Sequence, residues 1–159
     1  MKDQSLIWQL IGRSIHFCFK PLIYIFLNNS TRSRVLFVAK NQYILLSKTW
    51  LSSGEWGLIG GGLKINEDLI SGIKREVMEE TGFKLIPQKL TFIGDYRQTL
   101  INLGYNIKAY QYQVDRCFNL KRPTFEIAAL RWFKINDLNK IKINKICAEI
   151  INSVLDIEI

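Results

Sequence analysis

With 159 residues, 48% of them hydrophobic and 23% charged, the chain has room for one compact domain with its own core, which excludes a disordered polypeptide and a large multidomain one. A formal net charge of +8 suits an anionic partner, be it a phosphorylated small molecule, nucleic acid or an acidic membrane surface, and chooses none of them. Three scattered cysteines, Cys18, Cys117 and Cys147, and the single histidine His16 exclude a disulfide framework, a Cys/His zinc site and an imidazole-based triad; reduced thiols in a cytoplasmic protein are the expectation.

In chain order, residues 6–27 come first. They are crowded with large apolar side chains, interrupted by Arg13, His16 and Lys20, and Pro21 would break or kink a helix there. A spanning helix takes about 20 uninterrupted apolar residues, and a signal peptide needs a small-residue cleavage site; the run offers neither. Two readings of residues 1–30 stay open. One is an apolar helical segment packed on the domain or on a second copy, giving a homodimer. The other is membrane-surface contact through residues 5–27, which would leave a cytoplasmic protein peripheral at the membrane.

Residues 31–159 form the domain proper. After the polar joint Asn28–Thr31, residues 34–40 and 42–47 read as two strands around a turn at Asn41. Gly54 and Gly57 bound one loop and Gly60–Gly62 form another. A helix is predicted from Glu67 to Thr81, strands over residues 90–96 and 105–114 with a turn near Leu103-Gly104, and a further strand over residues 128–133. A turn at Asn136-Asp137 precedes a closing helix over residues 143–155. Strands mixed with two or three helices predict an α/β fold, an α/β/α sandwich around a mixed β-sheet.

The predicted helix over 67–81 carries the chemistry. Asn66 is placed to cap it, Glu67 and Asp68 suit its positive end, and Gly82 ends it. At about 100° per residue, Leu69, Ile70, Ile73 and Val77 make one apolar arc. Glu80 falls within that arc, Glu76 at its edge and Glu79 a little beyond, so these carboxylates point toward whatever the apolar side packs on. Carboxylates crowded near an interior repel and lose hydration. Arg75 can reach Glu79 at i+4, yet one guanidinium is too little for Glu67, Glu76, Glu79 and Glu80 together. A hard divalent cation, Mg2+ or Mn2+, takes oxygen ligands of this kind.

The stretch Gly61–Phe83 resembles the signature of the Nudix (MutT-like) hydrolases at Gly61, Glu67, Arg75, Glu76, Val77, Glu79, Glu80, Gly82 and Phe83. The approach Trp56–Gly62 and the late strand Glu126–Phe133 are similar as well. The resemblance implies a Nudix-type sandwich whose box forms a loop-helix-loop beside the substrate. It implies that Glu76, Glu79 and Glu80, with the carbonyl of Gly60, hold Mg2+ (Mn2+ as substitute), that Glu67 supports them, and that Arg75 orients the carboxylates. Glu76, Glu79 and Glu126 are the candidates for the general base. Gly61 and Gly62 would let backbone approach phosphate, and Trp56 is placed to stack on a base.

The reaction implied is water attacking phosphorus in a nucleoside diphosphate linked to another moiety, with cleavage of the pyrophosphate bond. Departures from the family pattern are Ile59 for a frequent proline, which predicts a less rigid loop, Asn66 for a glycine, Gly72 for an alanine and Ala129 for an acidic residue. A non-catalytic nucleotide-binding module predicts lost box carboxylates, and none is lost. An RNA 5′-pyrophosphohydrolase is permitted by the charge and supported by no RNA-specific motif. Arg97, Lys108 and Tyr110 lie on strands that could line a pocket.

Overall fold

The computed structural model describes residues 30–49, 54–100, 103–120 and 126–159. The helical segment expected within residues 1–30, with its dimer and membrane-surface readings, lies outside the described residues. Five strands and two helices are described: β1 (Thr31–Ala39), β2 (Tyr43–Thr49), α1 (Leu69–Thr81), β3 (Leu90–Leu100), β4 (Leu103–Val114), β5 (Ile127–Lys134) and α2 (Lys145–Leu155). Short 3-10 turns span Pro87–Lys89 and Ile135–Lys140, the second where a simple turn at Asn136-Asp137 is expected. No helix among the described residues is long and apolar enough to cross a membrane.

The strands form one sheet in the order β3-β4-β1-β2-β5. β1 runs parallel to β4, and every other pair is antiparallel. Side chains alternate across such a sheet, and β1 shows the consequence. Val35 and Phe37 join Leu45, Ile59, Ile73, Val77 and Tyr112 in a core under α1. Leu36, one register away, joins Ile44, Leu46, Ala109, Cys147, Ile150 and Ile151 in a core under α2. One helix on each face of a mixed sheet is the expected sandwich. β3 runs past the expected Tyr96 to Leu100, because backbone pairing of Arg97, Gln98 and Thr99 with Asn106, Tyr105 and Gly104 continues after the apolar alternation stops.

The site is positioned by a defect in this sheet. β1 and β2 pair only from Phe37–Ala39 to Tyr43–Leu45 and then splay. The chain from Gly57 to Gly62 fills the gap through single bridges, Ser47 to Gly57, Val35 to Ile59 and Arg32 to Gly62. The side chain of Ile59 is wholly buried and its carbonyl accepts from Val35 N at 2.8 Å. The looseness expected from the missing proline is thus offset by core packing and a strand bridge.

Two details of α1 differ from expectation. Its cap is Asp68, whose carboxylate accepts from Ser71 N at 3.0 Å, and not Asn66. Asn66 instead holds a left-handed turn at φ 62°, a conformation asparagine tolerates better than most residues. That requirement explains an asparagine where glycine is frequent. Gly72, where the family frequently has alanine, has close neighbours. It is buried, and a Cβ there would run into the Leu63 side chain and come within 3.2 Å of the Glu67 carboxylate.

Candidate active site

α1 lies on the sheet through Ile73 and Val77, both fully buried, and this fixes the direction in which Arg75, Glu76, Glu79 and Glu80 leave it. The glycine chain in the sheet gap faces them. Gly60 sits at φ 125°, and a Cβ on it would lie 2.5 Å from the Ser33 carbonyl oxygen. A Cβ on Gly61 would lie 2.5 Å from a carboxylate oxygen of Glu76. At Gly60 only bare backbone fits against β1, whereas at Gly61 a side chain would have to displace the Glu76 carboxylate.

Arg75 is the hub. Its Nε donates to Glu67 Oε1 at 2.8 Å and its Nη2 to Glu67 Oε2 at 2.8 Å, a two-pronged clamp. Its Nη1 donates to Glu76 at 2.7 Å and Glu79 at 3.2 Å, and its Nη2 also to the Gly62 carbonyl at 3.0 Å. All five N–H donors are engaged. Glu67 further accepts from Lys64 N at 2.8 Å. The hydrogen bonds from Arg75, and then from Lys64 N, bring the Glu67 carboxyl down to about 2. The Arg75 guanidinium is held above its ordinary value, chiefly by Glu67.

Glu80 is beyond this clamp. It accepts from Gly60 N at 3.1 Å. Burial pushes its carboxyl up to about 7; Glu76 and Glu126 add to the rise, while Arg34 and the Gly60 N–H work against it. Arg34 Nη1 donates to the Ser33 carbonyl at 2.9 Å and also to the Gly60 carbonyl. The Gly60 peptide is therefore tied to a carboxylate on one side and a guanidinium on the other. Glu126, exposed, stands just before β5, and its charge acts on both Glu80 and Arg32.

A cleft of about 310 Å³ opens on the α2 side of the sheet, where Arg34, Trp56, Gly60, Glu80, Tyr105 and Asn144 are among its walls. Trp56 is partly buried against the core under α2. It lines the cleft, and it packs edge-on against Phe133 with ring centroids 4.8 Å apart, with Lys48 Nζ 5.5 Å above its ring.

A Nudix domain model matches residues 22–153, most of the 159-residue chain. The chain belongs to the Nudix family. It is 33% identical over 98 residues to nucleoside triphosphatase NudI of Escherichia fergusonii, a match covering 57% of this chain and 70% of that protein. Its fold is similar to a MutT Nudix hydrolase from Burkholderia pseudomallei, with TM-score 0.68 at 20% identity over 79% of this chain and 98% of that one. It is similar also to the Nudix domain of Shewanella oneidensis NrtR complexed with ADP ribose, with TM-score 0.70 at 13% identity over 80% and 87%. With every box carboxylate in place, this member is a Nudix pyrophosphohydrolase.

Nudix enzymes generally use divalent cations, and the box offers suitable donors. Glu76, Glu79 and Glu80 each engage one carboxylate oxygen and keep the second without a hydrogen bond among the described residues. Such free, hard oxygens fit Mg2+ or Mn2+. Glu67 has both oxygens engaged and fits a supporting place. As the side chains stand, no three acidic or thiol side chains among the described residues converge on one ligating point. Glu67, Glu76 and Glu79 instead all accept from Arg75.

Of the other candidates, Gly61 and Gly62 lie in the glycine chain between Arg32 and α1. Tyr110 packs in the core under α1 and not in the cleft. Arg97 and Lys108 line a separate hollow with Asp95 and Asn106, where Lys108 pairs with Asp95 at 2.8 Å. Sequence reasoning missed Arg32 and Arg34. The available signal was charge at alternate positions of β1, in register with the buried Leu36.

Proposed function

We propose that this Nudix protein performs Mg2+-dependent hydrolysis of the phosphoanhydride bond of a nucleotide, with water attacking phosphorus. The observation that carries the reading is the division of the box carboxylates into one saturated by Arg75 and three that each hold an oxygen free. Glu76, Glu79 and Glu80, with the Gly60 carbonyl, are the assigned metal ligands. These residues would hold a divalent cation, which when bound would supply a lowered pKa for the attacking water and neutralisation of phosphate charge.

The chain's own residues then have distinct tasks. Arg75 and Glu67 fix the directions of Glu76 and Glu79. Arg34 and Glu80 fix the Gly60 peptide, so that Gly61 and Gly62 present backbone to the phosphates. Glu76, Glu79 and Glu126 are the candidates to accept the proton of the attacking water; Glu79 and Glu126 are the two exposed to solvent. Trp56, on the cleft wall, offers a stacking face to the base. The relative named a nucleoside triphosphatase and the fold neighbour complexed with ADP ribose both support a nucleotide as substrate.

The test is a panel of nucleoside triphosphates, nucleotide sugars, dinucleoside polyphosphates and triphosphorylated RNA, with Mg2+, Mn2+ or EDTA. Release of phosphate or pyrophosphate from at least one compound, abolished by EDTA, is the expected result. Tight nucleotide binding without any release would instead assign a non-catalytic module.

A further inference from the structure

Arg32 differs from the two other arginines at the site. Arg75 has all five donors engaged, and Arg34 donates to two carbonyls. The guanidinium of Arg32 makes no hydrogen bond or ion pair among the described residues, and its Nε is buried without a partner. Its carbon lies 5.2 Å from the ring centroid of Tyr105, a residue of the cleft wall. On its other side is Gly62, whose Cβ position would be 3.8 Å from Nη2 and 3.9 Å from Nε. The Gly62 carbonyl accepts from Arg75. The glycine chain thus runs between a saturated guanidinium and an unsaturated one.

A partly buried cation whose Nε lacks a partner is costly, and the stack on Tyr105 supplies only part of the compensation. Glu76 and Glu126 act on Arg32 through space without touching it. What the guanidinium lacks is an acceptor with several oxygens and negative charge, delivered next to the box. We infer that Arg32, backed by Tyr105, is an anion subsite that takes a terminal phosphate of the substrate, and that it favours nucleotides ending in a free phosphate over nucleotide sugars. This rests on the proposed reaction and narrows its substrate. A terminal phosphate brings three acceptor oxygens and about −1.5 to −2 of charge, matching an open guanidinium fork. The phosphates of a nucleotide sugar are both internal, with fewer free oxygens and less charge each.

The experiment has two arms and uses the full chain, with Arg32→Gln, Arg32→Lys and Lys134→Gln. Lys134 is exposed and pairs with Tyr43, at the opposite end of the sheet from Arg32, so its variant controls for bulk charge. In the first arm, binding of inorganic tripolyphosphate in EDTA is measured by calorimetry. Arg32→Gln should weaken it by about 10-fold to 100-fold, Arg32→Lys less, and Lys134→Gln not measurably. In the second arm, Arg32→Gln should raise KM for a nucleoside triphosphate while leaving kcat, and KM for a nucleotide sugar, near the parent values.

Absent tripolyphosphate binding in the parent, equal binding by Arg32→Gln, or equal damage to both substrates would overturn the inference. Should Arg32→Gln fail to fold, Arg32→Lys carries the test: it keeps the charge and loses the fork, so binding equal to the parent is the overturning result. If tripolyphosphate binding depends on Arg32 but no nucleotide is hydrolysed, the proposed reaction fails and the subsite stands. Hydrolysis that is indifferent to Arg32 has the opposite meaning.

Discussion

Arg75 and Glu80 divide the electrostatics of the box between them. Sequence reasoning held that one guanidinium is too little for four glutamates, yet Arg75 reaches three, because its planar fork points different N–H groups at different carboxylates. Only Glu80 is left to burial. Arg75→Lys keeps the charge and loses the clamp, so steady-state rates should fall by about 10-fold to 100-fold, with a weaker apparent metal affinity in the same titrations.

Glu80 makes a pH prediction. Its carboxyl ordinarily titrates near 4.5 and is pushed up to about 7 in the fold without metal, so the folded chain holds this proton more tightly than the unfolded one. The stability it contributes is full below the lower value and is lost as pH rises through the upper one. Thermal unfolding of metal-free protein should therefore show a Tm that falls from about pH 5 to about pH 8, and Glu80→Gln should flatten the slope. Glu67 runs the other way. Its stabilisation is present above 4.5 and is lost as pH falls toward about 2.

At the scale of elements, α1 was legible because its period of apolar residues and its terminal Gly82 are both local signals. Gly82 adopts φ 75° and donates to the Met78 carbonyl at 3.0 Å, as a helix-ending glycine does. The start was misread by two residues, since Asn66 and Asp68 are both good caps and only the backbone conformation separates them. Asp68→Ala should cost about 1 kcal/mol in denaturant unfolding, whereas Asn66→Gly should cost nothing, because glycine takes the left-handed turn freely. A cost for Asn66→Gly equal to that of Asp68→Ala would restore the original cap.

The glycine chain was legible as a loop but not as a filler of the sheet gap, which depends on where two distant strands splay. Gly61→Ala is expected to fold and to lose activity, as the new methyl displaces the Glu76 carboxylate. Retained activity with an unmoved Glu76 would show that the tight approach at Gly61 has no catalytic consequence.

For the whole molecule, the sandwich could be read from alternation in the strands and helical spacing at two places. The pairing order could not, because the parallel contact of β1 with β4 joins residues some 75 apart, such as Thr31 with Asn106, and no local pattern encodes it. The cleft was unreadable for the same reason: Arg34, Trp56, Tyr105 and Asn144 come from four separate parts of the chain. Residues within the box were legible because their chemistry sits on one helix and one loop. Arg32 was not, since its meaning comes from Tyr105 and Gly62 meeting it across the sheet.

All of these assignments depend on carboxylates of α1 holding a divalent cation against a phosphoanhydride. The direct measurement is nucleotide hydrolysis by the parent, Glu76→Gln and Glu80→Gln, across a titration of Mg2+ from none to saturation. The parent should be inactive without the cation, and each variant should be slower by at least about 100-fold at saturation. Variants that match the parent, or a parent that needs no divalent cation, would contradict the account.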